Sequence, residues 1–131
     1  MIRCVRLWTG EDKESHFEEG WLDLPKGERG DMLSDTVKVQ SISFRETNAG
    51  GSFSWHEAPA RQFVITLSGT LEFETRSGAT FTIQPGDILL AEDTTGEGHR
   101  WRLTDQQPWR RAYVIFAADA QPPFVSAKPS A

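Results

Sequence analysis

Over residues 61–92, apolar and polar positions alternate with a period of two. Phe63, Ile65 and Leu67 share one parity and Gln62, Val64 and Thr66 the other. After a turn, Leu71, Phe73 and Thr75 alternate with Glu72, Glu74 and Arg76. Side chains two apart lie on the same side of an extended chain, so each segment predicts a strand with one face toward a core. Ser68-Gly69, Ser77-Gly78 and Pro85-Gly86-Asp87 punctuate the run. The strand-turn rhythm of about eight to nine residues is that of an antiparallel sandwich or barrel.

The flanking sequence extends the pattern. Strands are expected over residues 2–8, 15–24, 37–47, 52–57, 99–103 and 109–117. Within 37–47, Val37 and Val39 take one parity and Ile42 and Phe44 the other, which predicts a bulge or face switch near Gln40-Ser41. Asn48-Ala49-Gly50-Gly51 is a turn, and Pro59 ends the strand after it. Residues 25–35 and 93–98 are loops. No segment of helical period reaches ten residues, and there is no internal repeat. The expectation is one all-β domain over residues 1–117, with N-terminal strands in 1–47 and about ten strands in two facing sheets. Residues 118–131, rich in Pro and Ala, read as a tail that wraps loosely or is disordered.

Composition narrows the function classes. The chain has 131 residues, the size of one domain, and only 37% hydrophobic residues, but five Trp and eight Phe supply large buried area. The net charge of −5 comes from dispersed acids, and Arg110-Arg111 is an isolated pair. That balance argues against nucleic acid. A single Cys4 excludes an intramolecular disulfide or a Cys-based metal cluster. No apolar run approaches a membrane span, and the N-terminus lacks a secretory pattern. The plain expectation is a soluble, cytoplasmic protein. Apolar residues on both faces of the N-terminal strands, and sheet edges that need cover, predict a homodimer.

The Gly69 turn, followed by Pro85-Gly86-Asp87 opening the next strand, resembles the cupin superfamily over residues 51–101. The resemblance implies a double-stranded β-helix, or jelly-roll barrel, with its function in the lumen. Counted back from Gly69, His56, Ala58 and Gln62 fall where the cupin motif has its first His, second His and Glu; His99 falls at its last His. A register one residue longer would instead put Trp55 and Glu57 at the two His positions. The resemblance thus implies one weakly held divalent metal ion (Fe, Mn, Ni or Zn) on His56, Gln62 and His99. Glu57, Glu92 or Glu97 could add charge, and His16 could replace the His missing at Ala58. Cupins include dioxygenases, isomerases, decarboxylases and lyases, so the reaction class stays open.

Around these residues, period two predicts a small-molecule pocket lined by Val64, Thr66, Phe73, Trp101 and Tyr113. Residues 92–98 read as a lid hinged at Gly96 and Gly98. The alternative reading is a metal-free ligand-binding or regulatory barrel, in which His56, Gln62, Thr66 and His99 orient the ligand by hydrogen bonds. Nucleophilic catalysis has no support: Cys4 has no neighbouring His in sequence, and no Gly-x-Ser-x-Gly elbow is present.

Overall fold

A computed structural model describes residues 1–128. Its strands are β1 (Arg3–Thr9), β2 (Ser15–Leu22), β3 (Lys26–Glu28), β4 (Asp31–Leu33), β5 (Val39–Thr47), β6 (Ser52–His56) and β7 (Gln62–Ser68). There follow β8 (Leu71–Thr75), β9 (Thr80–Ile83), β10 (Ile88–Glu92), β11 (His99–Leu103), β12 (Trp109–Phe116) and β13 (Phe124–Ser126). No helix forms among the described residues. A seven-stranded sheet runs β13-β2-β1-β10-β7-β12-β5, and a four-stranded sheet runs β6-β11-β8-β9. All ladders are antiparallel except β1 with β10.

The two sheets enclose the main core. Val5, Leu7, Val64, Leu89 and Trp109 from the large sheet meet Leu71, Phe73, Phe81, Ile83 and Trp101 from the small one. The large sheet is buried on its other face too, where Cys4, Phe63, Ile88, Leu90, Phe116 and Ala120 pack together. That is why Ile88-Leu89-Leu90-Ala91 is apolar without alternation: both faces of β10 are covered.

The expected bulge forms where parity changes. Ile115 pairs with Ser41 and Phe116 with Val39, so Gln40 is the extra residue. Two expectations are corrected. Residues 25–35 are not merely a loop, because β3 and β4 pair as a short two-stranded sheet there. The region carries no buried residue in either strand, so no alternation marks it. Nor does the tail only wrap loosely: β13 extends the large sheet by pairing with β2, and the rest of the tail, 129–131, lies outside the described residues. Gly20 allows this approach, since a Cβ there would collide with the Val125 carbonyl.

Candidate functional site

The lumen holds a cavity of about 220 Å³ between the two sheets, walled by β5, β6, β7, β8, β10, β11 and β12. Its polar side chains come from five strands: Ser43 and Arg45 on β5, His56 on β6, Gln62 on β7, His99 on β11, and Arg111 and Tyr113 on β12.

His56 reaches the cavity through an irregularity. His99 pairs with His56 but Trp101 pairs with Phe53, so three residues of β6 oppose two gaps' worth of β11 and alternation breaks. Phe53 and His56 therefore both line the cavity. Trp55 stacks instead under the guanidinium groups of Arg76 and Arg100, at 3.9 and 4.8 Å. This favours the sequence register with His56 inward over the one with Trp55 and Glu57. Gly98, at φ 74°, precedes His99, and a Cβ there would strike the His56 carbonyl. The close approach of β6 and β11 thus depends on glycine.

The two imidazoles lie 4.6 Å apart between centroids. His56 Nδ1 is 2.7 Å from the Ser54 carbonyl oxygen, which can only accept, so Nδ1 carries the proton and Nε2 keeps its lone pair. Burial, with His99 nearby, holds the His56 pKa below its ordinary value, so the ring is neutral at pH 7. His99 Nδ1 is 2.6 Å from Asp93 Oδ2. A carboxylate partner at Nδ1 fixes that tautomer as well and leaves Nε2 free.

Asp93 is the residue that sequence reasoning missed. It is 0% exposed, and its Oδ2 accepts from both His99 Nδ1 and Ser15 Oγ at 2.6 Å. Its other oxygen, Oδ1, is buried with no partner among the described residues. The backbone is fixed as well, since the Ala58 N–H donates to the Asp93 carbonyl at 2.9 Å.

Arg111 is the second omission. It is 2% exposed, yet no Asp or Glu lies within ion-pair distance among the described residues. Its Nε donates to Tyr113 Oη at 3.2 Å, and Nη1 donates to Thr47 Oγ1 at 2.8 Å and to the Trp109 carbonyl at 3.0 Å. The guanidinium lies 3.7 Å from the Trp109 ring centroid. Nη2 has no hydrogen-bond partner in the described chain. Desolvation pushes the Arg111 pKa down, the sign of a cation held away from both water and acid. Arg45, opposite Arg111 in the ladder, sits 5.0 Å over the Tyr113 ring on the same wall.

The residues named from sequence divide clearly. His56, Gln62 and His99 share the cavity with Val64, Phe73, Trp101 and Tyr113. Thr66 does not line it: it is buried behind the wall, its hydroxyl accepting from Trp109 Nε1 at 3.1 Å. Glu57 is exposed, Glu92 is held between Arg6 and Arg61, and Glu97 faces Arg76. His16 pairs with Asp12 and stacks on Trp8, away from the cavity. The segment read as a lid is pinned rather than hinged. The Glu97 N–H donates to the Lys13 carbonyl, and Thr9 Oγ1 to the Thr95 carbonyl, both at 3.0 Å.

This donor set does not fit a resident divalent cation. It offers two neutral imidazole nitrogens and one amide, no carboxylate lines the cavity, and two guanidinium groups do. Among the described residues no three His, Cys, Asp or Glu side chains group as ligands. A dipositive ion would meet two guanidinium groups with no carboxylate among its ligands, Asp93 standing behind His99 rather than in the cavity. The three residues of the metal expectation, His56, Gln62 and His99, do come together, in surroundings whose charge disfavours a divalent ion.

Comparison with known proteins adds the fold. No protein-family model matches the chain, and no curated protein does. Among solved structures, a Cupin 2 conserved barrel domain protein from Salinispora arenicola aligns over 59% of this chain and 62% of its own, at 18% identity and TM-score 0.46. The chain thus spans less than two thirds of that protein. A Klebsiella pneumoniae protein with a double-stranded β-helix domain aligns over 81% of this chain and 92% of its own, at 18% identity and TM-score 0.48. Both likenesses are to barrel or double-stranded β-helix domains, in line with the two facing sheets described above. Likenesses this distant carry no argument about chemistry, so what this protein does must be read from its own cavity.

Proposed function

We propose that the cavity binds a small organic carboxylate without a resident metal, and that His99 exchanges a proton with it. The carrying observation is Arg111. A buried guanidinium with no acid beside it carries a desolvation cost of several kcal/mol, and a carboxylate ligand would supply the missing charge. The free Nη2 offers N–H donors to one carboxylate oxygen, with Arg45 within reach of the rim. Phe53, Trp101 and Tyr113 would cover the apolar part of the molecule.

His99 supports the second half of the reading. With Nδ1–H donated to Asp93, Nε2 can take a proton from the carbon next to the bound carboxylate. The C–H electron pair then stays on the ligand as an enolate, whose charge rests on the oxygens at Arg111. Asp93 stabilises the imidazolium that forms, and Ser15 holds Asp93 in place. Return of the proton from Nε2 to carbon completes the exchange.

The test is a thermal-shift panel of small hydroxy- and oxo-carboxylates, run with and without EDTA. A ligand that binds only the folded state raises Tm by mass action. The reading predicts stabilisation by at least one carboxylate and no effect of EDTA alone. A melting temperature that falls with EDTA and ignores every carboxylate would reverse it.

A further inference from the structure

Every long strand of the large sheet carries buried residues, with one exception. Eight of the nine residues of β5 are exposed. It is an edge strand, laddered to β12 and to nothing on its other side among the described residues. The bulge at Gln40 turns Val39 to the outer face with Ile42 and Phe44, so three apolar side chains line up in solvent. Ile42 is 58% exposed and Phe44 71%. Leu67, on the outer face of β7, extends the patch. Edge strands are kept from pairing by Pro, charge (Lys above all), a bulge, shortness or a covering loop. From Val39 to Thr47 there is no Pro and no Lys, the bulge and the charged pair Arg45-Glu46 lie toward the two ends, and the strand is the longest of all thirteen. The other edge of the same sheet, β13, is three residues long.

We propose that β5 pairs antiparallel with β5 of a second copy, about a two-fold axis at Ser43. The sequence of β5 selects both occupant and register. Directly opposed residues in an antiparallel ladder point to the same side. Centred on Ser43, Ile42 opposes Phe44 in both directions, Glu46 opposes Gln40, and Arg45 opposes Ser41. Apolar then meets apolar and no like charges face each other. Centring on Phe44 would set Ile42 against Glu46, and centring on Ile42 would set Phe44 against Gln40. Only the Ser43 register is self-complementary. It also joins the two cavities' rims: Ser43 and Arg45 line the cavity on the inner face, so the second Arg45 arrives beside Ser41 on that same face. This pairing does not rest on the carboxylate reading.

Light scattering and cross-linking test it on the full chain. The wild type is expected to have dimeric mass at micromolar concentration, and Phe44→Glu monomeric mass with a native circular dichroism spectrum; Ile42→Lys serves the same purpose should Phe44→Glu fail to fold. Ser43→Cys should cross-link to its own symmetry mate under copper-phenanthroline oxidation, because opposed Cα atoms lie within disulfide range. Ser41→Cys should not. The native Cys4 stays silent, being fully buried with its pKa pushed up to about 12. A monomeric wild type, a dimer that survives both Phe44→Glu and Ile42→Lys, or a dimer whose Ser43→Cys form does not cross-link would each overturn the proposal.

Discussion

Asp93 and Arg111 are two buried charges in one barrel, and the protein treats them in opposite ways. Asp93 is met from within: Ser15 and His99 both donate to one of its oxygens. Arg111 is met only by neutral acceptors and aromatic faces, and its charge has no internal answer. Asp93 keeps one oxygen unpartnered too, but it lies off the cavity and holds two other side chains in place, so it belongs to the scaffold. Arg111 stands on the cavity wall with a free Nη2 and no counter-charge, where an anionic ligand can reach it. The difference separates the residues that build this site from those that use it.

The largest expected effect breaks the scaffold half. Asp93→Ala leaves Ser15 and the His99 Nδ1–H buried without an acceptor and should lower the unfolding free energy by about 1–3 kcal/mol for each. Arg111→Met in the ligand-free protein should cost clearly less, because the loss of its hydrogen bonds is offset by removing an uncompensated cation. Urea denaturation of both variants decides it; equal losses would erase the distinction.

Gly98→Ala comes next. The added Cβ meets the His56 carbonyl and the residue must hold φ near 74°, so strain of about 1–3 kcal/mol is expected. The two histidines should also separate. A drop in Tm together with a changed environment of both imidazoles by NMR is the expected outcome, and an unchanged His56–His99 contact would show that the glycine does not set it.

The smallest effect is in pH. The His56 imidazole titrates below its ordinary value of 6.5 in the folded chain because burial disfavours its charge. As pH falls through that ordinary value the unfolded chain takes up a proton that the folded chain still declines. The contribution is therefore fully present above 6.5 and is lost as pH falls toward the lower folded value. Between about pH 7.5 and pH 5, the urea midpoint of wild type should fall more steeply than that of His56→Gln. Parallel curves would remove His56 as the cause.

Much of the fold was legible because its signals are local. The Ser-Gly and Pro-Gly-Asp turns, the alternation of β7 and β8, and the parity change at Gln40 each lie within a few residues of the structure they cause. The β3–β4 pair and the β13 edge were not legible: neither has a buried pattern, and β13 depends on a glycine about a hundred residues earlier. In the site, His56, Gln62 and His99 were found by spacing, but the charge around them was not legible there because it comes from other strands. Arg111 shares parity with Tyr113, so extending the same period of two would have placed it on the cavity wall. Asp93 gave no such signal, since it lies in a loop and its role depends on Ser15, 78 residues away in sequence. Thr66 had the right parity but lies too far along β7, behind Trp109.

The central claim is that Arg111 gives this cavity its preference for anions. Isothermal titration of the carboxylate that most raises Tm, in EDTA, into wild type and into Arg111→Met tests it most directly. The account predicts binding by the wild type and a loss of about ten- to a hundredfold in the variant, the scale of a charge-assisted hydrogen-bonded contact. Equal affinity in the two proteins would contradict it.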